Sequence, residues 1–258
     1  QTYFYRLVAG PTQQAAKPLS IAQFQTLPDT NSTAPFQFVA SSCINFARFY
    51  GYIGIQGWED TTVLTQEQKE QGFPGLAAIA NETDAAFWVS NGDNVYYDQP
   101  KEPDGIVADS LDEMRAKWHR QLSMQNFRLL ANRKQTYWLK DDHDHRYNDS
   151  DTTGTKLPSN ELGIATFREQ IPITMSPDEP TYRTHRVNEH LQIWFLEGRD
   201  YRSPNDMPDG PDKSIWGAVQ RQWLERTLLE STANFKIIIT PTPMIGPDDA
   251  YKKDNHTN

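Results

Sequence analysis

Asp93 and Tyr96 stand three residues apart near the end of AAFWVSNGDNVYYD, residues 85–98. A carboxylate and a phenol are both hard oxygen donors, and a deprotonated phenol suits a trivalent cation such as Fe(III). The competing reading is a solvated turn, because Asn, Gly and Asp are ordinary turn formers. A second stretch, QTYWLKDDHDHRYND (135–149), carries Asp141, Asp142, His143, Asp144 and His145 in succession. All five can hold a metal or a proton, but neighbouring side chains of an extended chain alternate. Only some of them can therefore share one centre. Cys43 closes FQFVASSC (36–43) and is either a thiolate ligand or a buried apolar filler, the commoner habit of a free cysteine. Arg199 and Arg202, in HLQIWFLEGRDYR (190–202), can offer charge to an anionic substrate or pair with nearby acids.

Each donor cluster follows an apolar run that reads as a strand, at 36–43, 85–89 and 135–139. Open α/β sheets place their ligands at the carboxyl ends of strands, which is where these residues fall. Between the strands, Ser110–Ala131 reads as one helix, with Ser110 as N-cap, Glu113 completing a capping box, and Leu111, Met114, Trp118 and Leu122 on one face. His119 lies among these positions and reads as a surface or structural histidine. GLAAIANETDAAF gives a short helix leading into the strand at 85, whereas 44–75 reads mostly as loop. Further on, ELGIATFREQ (161–170) reads as helix and 190–202 as a strand. IWGAVQRQWLERTLLES (215–231) is an amphipathic helix with Val219, Trp223, Leu224 and Leu228 inward. FKIIITPTPM (235–244) is a last buried strand stopped by proline.

The first residues form two strands, 2–10 and 18–27, followed by the polar linker LPDTNSTAP (27–35). Two strands alone are marginal, so residues 1–30 are expected to be the end of a larger β-domain and 35–258 the α/β domain.

The chain has 258 residues and a formal net charge of −9, which argues against nucleic acid as a routine partner. No apolar run approaches the roughly 20 residues of a membrane helix, so no membrane partner is expected. No N-terminal segment resembles a signal peptide. One cysteine excludes an intramolecular disulfide.

SSC at 41–43, GDNVYYD at 92–98 and KDDHD at 140–144 resemble successive signatures of the PhoD-like phosphatases, relatives of the purple acid phosphatases. EQIPI, EGRDYRSPN, DGPDKSIWGAVQ and KKDNHTN resemble later stretches of one branch, and residues 3–27 resemble the end of the immunoglobulin-like domain that precedes the catalytic one. The resemblance implies a four-layer α/β/β/α sandwich of the metallophosphatase type. It implies hydrolysis of phosphate mono- or diesters by a metal-bound hydroxide at a two-metal centre of Fe(III) and Ca(II). Asp93 would bridge the metals, Tyr96 and Cys43 would bind iron, Asp142 (or alternatively Asp141) would bind the second ion, and His143 would stand beside the phosphate. A secreted or periplasmic location also follows from the resemblance.

The family's closing Gly-Asp-x-His-Trp motif does not occur between Lys236 and Asn258. The expectation is therefore a domain incomplete at its C-terminus, lacking its last strands, with a second chain or fragment completing it. Two other readings remain: a catalytically incomplete secreted binding or structural protein that retains the fold, and a metal-dependent ester or amide hydrolase.

Overall fold

The computed structural model describes residues 1–52, 63–100, 107–171, 173–176, 178–244, 254 and 256. In chain order the elements are β1 (Thr2–Ala9), β2 (Lys17–Gln25), β3 (Gln37–Ser41), α1 (Phe46–Phe49), α2 (Gln66–Gln71), α3 (Pro74–Asn81) and β4 (Ala85–Asn91). They continue with α4 (Leu111–Ser123), α5 (Gln125–Arg133), β5 (Gln135–Leu139), α6 (Asn160–Gln170), β6 (Arg183–Arg186), β7 (Leu191–Phe195), α7 (Gly217–Glu230) and β8 (Phe235–Ile239).

Strand β4 is the centre of a parallel three-stranded sheet ordered β3-β4-β5, with Ser41 beside Ser90 and Asn91 beside Leu139. That register brings the three carboxyl ends level, so the loops after β3, β4 and β5 meet at one edge. A second sheet is ordered β6-β7-β8, antiparallel in its first pair and parallel in its second. The period-two rule divides the strand residues between layers. Phe87, Val89 and Leu139 pack against Val187, Leu191, Ile193, Phe195 and Ile239 of the second sheet, where Tyr137 stacks on Phe195 with centroids 5.3 Å apart. The alternate residues Trp88 and Trp138 face away, toward Leu76, Met114, Trp118, Phe127, Leu130 and Phe167 of the helices. Trp194 and Leu196 of the β7 segment likewise pack on Leu224 of α7. β1 and β2 form a separate antiparallel hairpin, in which all of β1 is exposed.

Several expectations need correction. The helix at 110–131 is two helices broken at Met124, whose extended backbone ends α4 and starts α5, while Ser123 Oγ bonds back to the Arg120 carbonyl. The capping box at its start does form between Ser110 and Glu113, and His119 is exposed. Within 44–75 the described residues contain the short helices α1 and α2 and the start of α3, joined by loop; 53–62 lie outside the described residues. β6 escaped notice because RTHR has no apolar alternation and owes its extension to pairing with β7. On α7, Val219 is 74% exposed and Gln220 takes the buried position. Strand β8 is an edge of its described sheet, stops at Ile239 and leaves Phe235 exposed. Among the described residues no helix is long and apolar enough to cross a membrane.

Candidate metal centre

The loop after β4 turns sharply at Gly92 and Asp93, both with left-handed backbone (φ 80° and 55°). Glycine is required at 92, because a Cβ there would lie 2.6 Å from Asp141 Cβ and 3.0 Å from Pro241 Cβ. The turn aims the Asp93 carboxyl at the loops after β3 and β5. Cys43, itself left-handed (φ 60°), is held by its N–H donating to the Gly92 carbonyl (3.4 Å), and Ile44 N–H donates to the Asp93 carbonyl (2.9 Å). On the other side Asn94 clamps β4 to β5. Its side-chain amide donates to the Leu139 carbonyl (2.7 Å) and to Asp144, while its own N–H donates to Asp144 Oδ2 (3.1 Å).

Asp93 is the point of convergence. Tyr96 Oη donates to Asp93 Oδ2 at 2.9 Å, and Cys43 Sγ lies 3.5 Å from the same oxygen. The second oxygen, Oδ1, is buried and has no hydrogen-bond partner. An oxygen of Asp93, an oxygen of Asp142 and a ring nitrogen of His143 lie within 4.8 Å of one another. Asp142 is aimed by backbone donors, accepting from the N–H groups of His143 (3.0 Å) and Asp149. His143 Nδ1 is 2.7 Å from Asp98 Oδ1, whose partner oxygen accepts from Asn148 N–H (3.0 Å). This leaves Nε2 for the centre. The imidazole also lies against the Tyr96 ring, centroids 4.2 Å apart.

The acidic run after β5 is a turn and not extended chain, so strict alternation does not hold and two neighbours share the centre. Asp142 and His143 enter the centre. Asp141 accepts from Arg199 (2.8 Å from Nε, 2.6 Å from Nη2), and Asp144 braces the two loops through Asn94 and the Asp141 N–H (2.7 Å). His145 turns into the interior against Asn160 and Ser150. Arg199 and Arg202 are buried, and both bond Asp254; Arg199 adds Asp141 and the Ser150 carbonyl. Of the two roles open to these arginines, the structure places them in acid pairs. Two contributors were missed by sequence reasoning. Asp98 was visible in the GDNVYYD stretch but not its partner 45 residues on, and Gln121, which reaches the Ile44 and Asn94 carbonyls from α4, gave no signal at all.

The electrostatics follow from crowding. Burial, and then the charges of Asp141, Asp142 and Asp144, push Asp93 up to about 8. Burial likewise raises Asp141 to about 6, against the pull of Arg199, and Asp144 to about 7. The Tyr96 phenol is driven far above its ordinary range by burial and then by Asp93, and the Cys43 thiol is raised chiefly by burial. Burial opposes the charge on His143, but the Asp98 hydrogen bond and the Asp142 and Asp98 charges outweigh it and lift the ring to about 9. In Asp98 burial raises the carboxyl, but the hydrogen bond and charge of His143 together with backbone N–H donors outweigh it and lower the carboxyl. A buried, partnerless carboxylate oxygen among hard oxygen donors, a thiol and an imidazole fits a cation, which would favour the ionised form of each acid.

Fold and site together define an α/β protein with a candidate metal-binding centre at the carboxyl edge of a parallel sheet. The chain belongs to the PhoD-like phosphatase family, whose model matches residues 38–257. A solved structure of PhoD shares the fold, with a TM-score of 0.70 and 20% identity over 92% of this chain and 47% of that one. The chain thus spans about half the length of that structure. No curated protein gives a match.

Proposed function

We propose that this protein is a metal-dependent phosphoesterase, hydrolysing phosphate mono- or diesters at a two-cation centre built on Asp93. The observation that carries the reading is the double reach of that carboxylate. Oδ2 faces Tyr96 and Cys43, Oδ1 is buried without a hydrogen-bond partner, and an oxygen of the same carboxylate lies within 4.8 Å of donor atoms of Asp142 and His143. Cys43 and Tyr96 would hold one cation, iron in the ferric state, and Asp142 a second, calcium, with Asp93 shared. Such cations acidify a bound water and neutralise phosphoryl oxygens, so no protein nucleophile is needed.

The chain's own groups do the rest. Asp98 fixes His143 through Nδ1 and keeps the ring protonated near neutrality, so Nε2–H is available to a phosphoryl oxygen or to the departing alcohol. Asn94 and Asp144 keep the two ligand-bearing loops at a fixed separation. The helix and sheet layers of the core support reading the architecture as the four-layer α/β/β/α sandwich. Few donors are gathered among the described residues, and further ligands from additional chain, in the same molecule or a partner, belong to this reading, as do residues 1–30 as part of a β-domain and an exported location, secreted or periplasmic.

Metal analysis with parallel hydrolysis of p-nitrophenyl phosphate and bis(p-nitrophenyl) phosphate tests the proposal. Bound iron should give a visible tyrosinate band that Tyr96→Phe abolishes, and His143→Ala should slow hydrolysis by about 10²–10⁴-fold. A metal-loaded protein that cleaved only carboxylic esters or amides would overturn the phosphoesterase reading.

A further inference from the structure

The centre opens into a pocket of about 400 Å³ whose wall continues past Cys43, Tyr96 and His143 to Asn45, Arg48, Gln99 and Asn148. That volume falls in the range of small-molecule sites and exceeds what a phosphoryl group needs, so it has room for the alcohol part of an ester. Beyond Cys43, Tyr96 and His143 the wall is polar, formed by three side-chain amides, the Asp98 carboxylate and one guanidinium. Two of the amides are already ordered: Asn45 Nδ2 donates to Gln99 Oε1 (2.8 Å), joining the β3 loop to the β4 loop, and Asn45 Oδ1 accepts from Arg48 N–H (3.0 Å). The second contact fixes the backbone of α1 and with it the origin of the Arg48 side chain.

Arg48 differs from the other arginines around the site. Arg199, Arg202 and Arg146 are buried and bound to carboxylates or carbonyls. Arg48 is exposed, and its guanidinium pairs with no carboxylate among the described residues. The other charged groups in the wall, Asp98 and His143, are engaged with each other. A free guanidinium offers a planar fork matched to a carboxylate or phosphate, and at a pocket rim it keeps that capacity for a ligand.

We infer that this pocket binds the alcohol part of the phosphoester and that Arg48 selects alcohols carrying a second anionic group, a carboxylate or a phosphate. The inference rests on the phosphoesterase reading of the centre and deepens it. Arg48 is a binding residue here, remote from the bond that breaks, so its effect belongs in KM and in affinity, not in kcat.

Calorimetric titration of the metal-reconstituted protein tests this without depending on turnover. Inorganic phosphate reports on the centre alone. Glycerol 3-phosphate and 3-phosphoglycerate differ by one carboxylate, and 1,3-propanediol bisphosphate replaces it with a phosphate. The protein should bind 3-phosphoglycerate, the bisphosphate or both about tenfold more tightly than glycerol 3-phosphate, the size expected for one partly exposed charge-assisted contact. The stronger arm identifies which second anion is preferred. Arg48→Ala should remove the preference, Arg48→Lys should restore part of it, and neither should move the phosphate affinity more than about twofold. Equal affinities with phosphate binding intact, or a preference surviving in Arg48→Ala, would overturn the assignment of Arg48 alone. Failure of inorganic phosphate to bind would overturn the reading of the centre and this inference with it.

Discussion

At the scale of single residues, Asp93 is under opposed demands. Its fold position buries it among three other aspartates, which holds its carboxyl near 8 against an ordinary value of 3.8. The folded protein therefore keeps a proton that the unfolded chain has lost, and stability falls as pH rises from about 4 to about 8. His143 adds to the loss higher up: its folded value near 9 against 6.5 gives stability that is complete below 6.5 and gone above 9. Thermal melts of metal-free protein should thus show Tm declining between pH 6.5 and 9, and added iron and calcium should reverse the decline, since cations favour the ionised acids. A Tm that rose over this window would contradict the electrostatic account. Asp93→Asn separates stability from function. It should remove the Asp93 share of the pH dependence of the metal-free melt and leave that of His143, while abolishing both metal-induced stabilisation and nearly all phosphoester hydrolysis, and measuring both on one preparation is decisive.

At the scale of elements, the site exists because three parallel strands end level and each is followed by a constrained turn. Gly92→Ala tests that dependence. It forces an L side chain into left-handed backbone, at about 1–3 kcal/mol, and sets a methyl against Asp141 Cβ and Pro241 Cβ. The urea midpoint should drop at unchanged slope, and metal affinity should drop with it because Asp93 is the next residue. This level was also the most legible in the sequence. Apolar runs marked β3, β4 and β5, the residues at their ends offered Cys43, Asp93, Tyr96 and the run from Asp141 to His145, and the family resemblance singled out Asp142 and His143 within that run. What was not legible depends on partners far along the chain. Nothing near Asp98 signals His143, nothing in RTHR signals a strand until β7 pairs with it, and the break at Met124 interrupts an otherwise uniform helical pattern. Arg146 shows the same limit. Its guanidinium donates to the carbonyls of Asp151, Thr153, Gly154, Lys156 and Pro158, organising a loop whose sequence says only that it is polar.

At the scale of the molecule, the two sheets are joined twice: by the apolar layer between them and, at their carboxyl ends, by charge. Arg199 follows β7 in the second sheet, yet it binds Asp141 after β5 in the first and also Asp254, and Thr242 after β8 reaches the same Asp141 at 3.3 Å. Asn91 at the end of β4 donates to the Thr240 carbonyl at 3.2 Å. The second sheet thus fixes the loop that carries Asp142 and His143 without contributing a donor to the gathered set. Arg199→Met would leave Asp141 without its guanidinium and would strip Asp254 of one of its two arginines. Breaking one side of a buried pair in this way is destabilising by about 3–5 kcal/mol. Denaturant unfolding of the metal-free variant should show a loss of that size, which metal reduces only in part. A residue serving mainly to contact substrate would give the opposite pattern: an unchanged unfolding midpoint with a raised KM. That result would move Arg199 from the frame of the molecule into its substrate site.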